Sequence, residues 1–355
     1  MGLIHDGVDE KRRTERWLEP LWHGDTMWYE SCMVISDNDG SEPYVPLLFE
    51  PENIVTVHHS RMDAQYEEGR DYALKDGKLI FPHGSGVPVV SRRELIMEEE
   101  APGESMPGRE GGYVLFHEGS YFHDRQIAVT YMHSRTGWQG PVPANQSRLL
   151  PHTARKLASG EKFKLAVYGD SITEGANASG AVGAPPYMPA WPQLVAQDLN
   201  GKYPAEVHLT NMAKGGMQSD WGRANAGDVA ELRPDLTIIG FGMNDGTHGR
   251  SAADFKANIE SIMDTIRAKK KDAEFVLVSP MLANPTTFFA GNQAAYAAVL
   301  QQLSGPGRAF VDVTSLHAHL LRHKRYADMT GNHINHPNDF LSRLYAQAIT
   351  AIWNA

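Results

Sequence analysis

Four short stretches in the carboxyl-terminal half place hydroxyl, glycine, amide and imidazole groups where apolar runs end. Gly169-Asp170-Ser171-Ile172-Thr173 follows one such run, so Ser171 can present both its hydroxyl and its own N–H to a ligand. Asn211-Met212-Ala213-Lys214-Gly215-Gly216 brings paired glycines, which let the chain pass close to a ligand and aim an N–H at it. Gly242-Met243-Asn244-Asp245-Gly246 adds a side-chain amide, and Asn335-His336-Pro337-Asn338 adds an imidazole just ahead of a final helix. Singly, each is an ordinary turn, and a lone histidine is more often structural than reactive. Together they hold the parts of nucleophilic acyl transfer. A serine hydroxyl is a weak nucleophile at neutral pH and needs a base for its proton, which imidazole can be. The oxyanion that forms next needs donors already in position. The serine run is not a Gly-x-Ser-x-Gly elbow, because residue 173 is Thr.

The elements that carry these blocks follow from periodicity. Buried-type strands at 163–168, 206–209, 236–241, 275–279 and 309–313 alternate with helical stretches. One helix sets Phe255, Ile259, Ile262, Met263 and Ile266 on a single face. Such alternation predicts a parallel sheet covered on both sides, with the site beyond the strands' carboxyl ends. Residues 25–135 read differently. Short Val-, Ile-, Tyr- and Phe-rich runs at 44–49, 53–59, 78–81, 113–116 and 126–133 are bounded by Gly, Pro and Asp, and Asp76-Gly77 signals a tight hairpin. The expected organisation is an all-β, jelly-roll-like sandwich at 1–140, a linker at 141–160 opened by Gly/Pro punctuation, and an α/β domain at 161–355.

The order and spacing of the four blocks resemble the SGNH (GDSL-type) hydrolases, over roughly residues 163–355. The resemblance implies a compact α/β/α sandwich. It also implies Ser171 as nucleophile, His336 as base, and the N–H groups of Ser171 and Gly216 with the Asn244 amide as oxyanion hole. One position departs from the pattern. The family commonly carries Asp three residues before the histidine, and here that residue is His333. The expectation is therefore a Ser–His dyad whose imidazole is oriented by a backbone carbonyl, that of His333. Asp339 is the competing carboxylate, although Asn338-Asp339 also reads as a helix cap.

The pairing of a β-sandwich with such a domain resembles carbohydrate esterases that remove acetyl groups from plant polysaccharides. The expected substrate is thus a short acyl ester on a sugar, such as an acetylated xylan-derived oligosaccharide. A lipid-directed esterase or thioesterase shares all four blocks, and a non-catalytic glycan-binding protein is the remaining class. Trp138 and Trp221 are candidates for a sugar platform, though tryptophans more often pack in cores.

Composition narrows the partners. A net charge of −10 disfavours nucleic acid, since no basic cluster is there to displace counterions. No apolar run nears spanning length, so no membrane partner is expected. The start Met1-Gly2-Leu3-Ile4-His5-Asp6-Gly7 lacks the apolar core of an export signal, and the single Cys32 forms no disulfide within the chain. Both lean toward the cytoplasm. The sixteen histidines include His58-His59, His317 with His319, and His333 with His336, but none has a third ligand at recognisable spacing. No metal or other cofactor is expected. Oligomeric state leaves no trace in the sequence.

Overall fold

The computed structural model describes residues 10–37 and 39–353. The amino-terminal residues read above for an export signal lie outside this range.

The carboxyl-terminal half is an α/β/α sandwich. Its five parallel strands lie in the order Glu206–Asn211, Lys162–Gly169, Leu236–Gly240, Glu274–Val278, Arg308–Val311. Successive side chains of a strand point to opposite faces, and the core divides accordingly. Ala166, Tyr168, Ile239, Phe275 and Leu277 pack with Phe255, Ile259, Ile262 and Met263 of the helix Ala252–Lys269. Leu165, Val167, Ile238, Val276 and Val278 face the other way, onto the helices Trp191–Lys202 and Asp339–Thr350. The central strands Leu236–Gly240 and Glu274–Val278 are buried on both faces and read as continuous apolar runs, and all five strands lie within two residues of the expected bounds.

The amino-terminal half is strand-rich. A five-stranded sheet runs Gln65–Tyr66, Pro51–His59, Gln126–His133, Thr26–Ser36, Val89–Ser91, with two three-stranded sheets beside it. The hairpin Ala73–Lys75 to Lys78–Ile80 turns at Asp76 (φ 49°) and Gly77 (φ 72°), both in the left-handed region that a two-residue type I′ turn requires.

The halves are not tethered beads. The stretch expected as a linker contains a helix, Pro151–Ala158, whose first amides, His152 and Thr153, donate to the Glu274 carboxylate. One apolar core runs from Trp17 through Val34 and Val129 to Leu344 and Ile349. Polar contacts reinforce it. The Arg343 guanidinium donates to the carbonyls of Trp17, Trp28 and Tyr29, and the Asn338 amide donates to Ser31 and Gln126. This fusion brings the β-rich half against the carboxyl edge of the parallel sheet.

Candidate active site

Ser171 opens a one-turn helix, Ser171–Glu174, at the end of the first parallel strand. Gly169 is required there, since a Cβ would lie 2.3 Å from the Gly240 carbonyl and from Thr173 Oγ1. Asp170 caps the turn, accepting from Ile172 N at 3.1 Å, and its other oxygen accepts from Met243 N at 3.3 Å. One buried carboxylate therefore locks the serine turn to the turn carrying Asn244. Burial pushes the Asp170 pKa up to about 7, against the pull of those two amides.

His336 Nε2 lies 2.9 Å from Ser171 Oγ. Its loop is shaped by Asn332, whose Oδ1 accepts the amides of Ile334, Asn335 and His336, each at 3.0 Å. The other imidazole nitrogen, Nδ1, has two partners: Asn177 Oδ1 at 2.7 Å and Glu118 Oε2 at 3.3 Å. Asn177 Nδ2 donates to the carbonyls of Gly119 and Gly331, so the atom it turns to the imidazole is its oxygen. Nδ1 must then carry the hydrogen, leaving Nε2 free to accept the serine proton.

Neither residue expected at the third position touches the imidazole. His333 has φ 68°, and its carbonyl accepts from Asn284 Nδ2 at 2.7 Å. Asp339 Oδ1 accepts the Ser179 amide at 2.8 Å, while Asn338 caps the helix by accepting from Leu341 N. Both carbonyl and carboxylate are committed elsewhere, and the expected dyad with a backbone carbonyl gives way to an Asn177–Glu118 pair. Sequence offered one faint signal, since Asn177 follows shortly after the Ser171 block. Glu118 stands 218 positions from His336 and offered none.

The remaining donors converge from two loops. Gly215 passes close to the serine: a Cβ there would lie 3.7 Å from Ser171 Cβ. Its amide donates to Glu174 Oε2 at 2.8 Å. Gly216 follows in the left-handed region at φ 75°. Among the described residues no hydrogen bond takes the amide of Gly216 or of Ser171. Asn244 Nδ2 donates to the Met217 carbonyl at 3.0 Å, which fixes the amide's orientation and leaves its second hydrogen available.

Residues 167–343, about half the chain, match the model of the GDSL-like Lipase/Acylhydrolase family. The carboxyl-terminal half belongs to this family. Among solved structures, the GDSL-like chain is similar to a two-domain esterase (CEX) active on acetylated mannans, at 23% identity and TM-score 0.48, over 58% of this chain and 54% of that one. It is also similar to the lipase Lip_vut3 from a goat rumen metagenome, at 19% identity and TM-score 0.42, over 54% of this chain and 97% of that one. A carbohydrate esterase family 3 from Talaromyces cellulolyticus matches at 17% identity and TM-score 0.40, over 53% of this chain and 94% of that one. The chain thus spans about half the length of the first. With TM-scores below 0.5, these likenesses decide neither substrate nor partner. No curated protein matches the sequence.

A loop beside the Asn244 turn is held by both halves. The loop 284–290 is anchored to the His333 carbonyl through Asn284, and to the Asn244 turn through Thr247 Oγ1, which donates to the Phe289 carbonyl at 2.8 Å. From the β-rich half, Arg109 N donates to the Thr286 carbonyl at 2.8 Å, and Gly108 bridges to Thr287. Phe288, on this loop, is 60% exposed. Of the proposed tryptophan platforms, Trp138 packs among Trp22, Phe49 and His319, and Trp221 lies against Tyr168. Among the described residues no group of three His, Cys, Asp or Glu side chains could hold a metal ion, and no helix is long and apolar enough to cross a membrane.

Proposed function

We propose that the protein is a serine esterase that removes short acyl groups, acetyl in particular, from carbohydrates such as xylan-derived oligosaccharides. The observation that carries the catalytic reading is the contact of His336 Nε2 with Ser171 Oγ at 2.9 Å, with Nδ1 held protonated by Asn177. Ser171 Oγ attacks the ester carbonyl carbon while its proton passes to His336 Nε2. The carbonyl oxygen becomes an oxyanion, met by the amides of Ser171 and Gly216 and the free hydrogen of Asn244 Nδ2. The imidazolium returns the proton to the departing sugar hydroxyl as the C–O bond breaks, leaving acyl-Ser171. Water, activated by the same imidazole, then releases the carboxylic acid.

The sugar reading rests on this loop and on the architecture. Phe288 presents an exposed aromatic face of the kind on which the C–H face of a pyranose packs. The β-rich half acts as a fixed wall of the cleft, through its contacts with loop 284–290. The test is a chain-length series of p-nitrophenyl esters together with acetate release from acetylated xylo- and manno-oligosaccharides. An acetyl optimum with acetate released from the sugars is the expected result. Fastest turnover on octanoyl or longer esters makes the enzyme lipid-directed instead, and glycan binding without any hydrolysis makes it a binding protein.

A further inference from the structure

Resting on that reading, we infer that Glu118 of the β-rich half is the charged positioning residue of the catalytic histidine, so that the active site is complete only with both halves. Two functions that a triad acid usually combines are divided here. Asn177 is fully committed: its amide group donates to two carbonyls and its oxygen accepts from Nδ1 at 2.7 Å. It sets the tautomer and ring orientation, but it is neutral and adds no charge to balance an imidazolium. Glu118 supplies the charge at 3.3 Å.

The carboxylate is held, not passing by. Glu118 Oε1 accepts from Asn332 Nδ2 at 3.0 Å, and Asn332 is the residue whose oxygen gathers the three amides of the histidine loop. The next residue, Gly119, gives its carbonyl to Asn177. The turn Glu118-Gly119 thus supplies one partner of Nδ1 and holds the other. Partial burial works against the charged carboxylate, but the hydrogen bond and charge of His336 and the hydrogen bond from Asn332 hold its pKa below the usual range, so it is ionised at neutral pH. The side chain is half exposed, which moderates its field at the imidazole. The other carboxylate coupled to His336 is Asp170, buried beneath the serine turn and drawn toward neutrality by its burial.

The experiment is Glu118→Gln, with Ser171→Ala in parallel, on p-nitrophenyl acetate across pH 5–9. The charge is lost while Asn177 still holds the tautomer. The expected fall in kcat is therefore about tenfold to a hundredfold, well short of the roughly 10⁴-fold that follows a wrong tautomer. KM changes little, and the acid limb of kcat/KM moves to lower pH, because an imidazolium without its anion gives up its proton more easily. A merely structural Glu118 leaves that limb in place. Unchanged kcat and limb, or a raised KM alone, overturns the inference. Activity remaining in Ser171→Ala would instead remove the esterase reading beneath it. A second variant, Asn177→Ala, leaves Glu118 as sole partner of Nδ1. A loss in Asn177→Ala well beyond that of Glu118→Gln, toward the roughly 10⁴-fold of a wrong tautomer, agrees with the division of roles, and a loss no larger than that of Glu118→Gln in folded protein overturns it.

Discussion

Ser171 and His336 stand 165 positions apart, yet the imidazole Nε2 sits 2.9 Å from the serine oxygen. Neither residue is needed to build the fold. Ser171 Oγ has the imidazole as its partner, and the histidine loop is shaped by Asn332 rather than by the imidazole. Ser171→Ala and His336→Ala are each expected to lower kcat on p-nitrophenyl acetate by about 10⁴-fold or more, with thermal midpoints close to wild type. Near-normal turnover in either folded variant would remove that residue from the mechanism.

Asn244 is expected to act on rate rather than affinity. Its amide is pinned by the Met217 carbonyl, so the free N–H is preset for charge that develops only after attack. Asn244→Ala should lower kcat by about a hundredfold or more, with KM within about threefold. A variant with normal kcat and raised KM would make Asn244 a ground-state substrate contact.

Stability tests the joining of the halves. Lys324 of the GDSL-like half meets Glu30 of the central strand Thr26–Ser36 at 2.5 Å, with both side chains fully buried. Glu30 also accepts from Leu48 N and Tyr131 OH, so the carboxylate is satisfied as long as the lysine is present. Lys324→Met leaves a buried anion and is expected to cost about 3–5 kcal/mol in urea denaturation. Unfolding should remain a single transition, since one core crosses both halves. Two separated transitions, or a loss below about 1 kcal/mol, would contradict the fused picture.

How much of this was legible in the sequence depends on range. The parallel strands were readable because the central ones are apolar runs that alternate with helical stretches, three of them ending at a motif, and the four blocks because a family resemblance ties them together. The strand Thr26–Ser36 was not singled out. Its seven consecutive buried residues include Glu30 and Ser31, so the segment reads neither as an alternating nor as a continuous apolar run, and a bulge near Tyr29 (φ 52°) breaks its register. The helix Pro151–Ala158 reads as linker in sequence, since its capping carboxylate, Glu274, lies on a strand more than a hundred residues away. The partners of His336 Nδ1 failed for the same reason. Position 333 is near His336 in sequence, whereas the carboxylate arrives from the β-rich half.

His333 itself serves packing, and its titration can show it. The imidazole is buried against Phe122, with ring centroids 5.3 Å apart, and Nδ1 pairs with the Leu115 carbonyl at 3.2 Å. Burial pushes its pKa down to about 4, from 6.5 in the open chain. Between those values the unfolded chain takes up a proton that the folded state refuses. The stability this group confers is therefore complete above pH 6.5 and is lost as pH falls toward 4, by up to about 3 kcal/mol. His317, pushed down to about 3 by burial, adds a loss in the same direction. Asp170, raised to about 7, acts oppositely, giving stability below its unfolded pKa that fades as pH rises to 7. The wild-type curve is the sum of these, so the informative quantity is the difference from His333→Asn, a replacement that tolerates the φ of 68°. The variant should start about 1 kcal/mol less stable at pH 7.5 through lost packing, then close that gap or overtake wild type near pH 4.5. Its kcat at pH 7.5 should stay within about threefold of wild type, because the 333 carbonyl belongs to Asn284 and not to His336. Parallel stability curves would show that the imidazole is not held neutral, and a collapse of kcat in folded protein would return position 333 to the catalytic machinery.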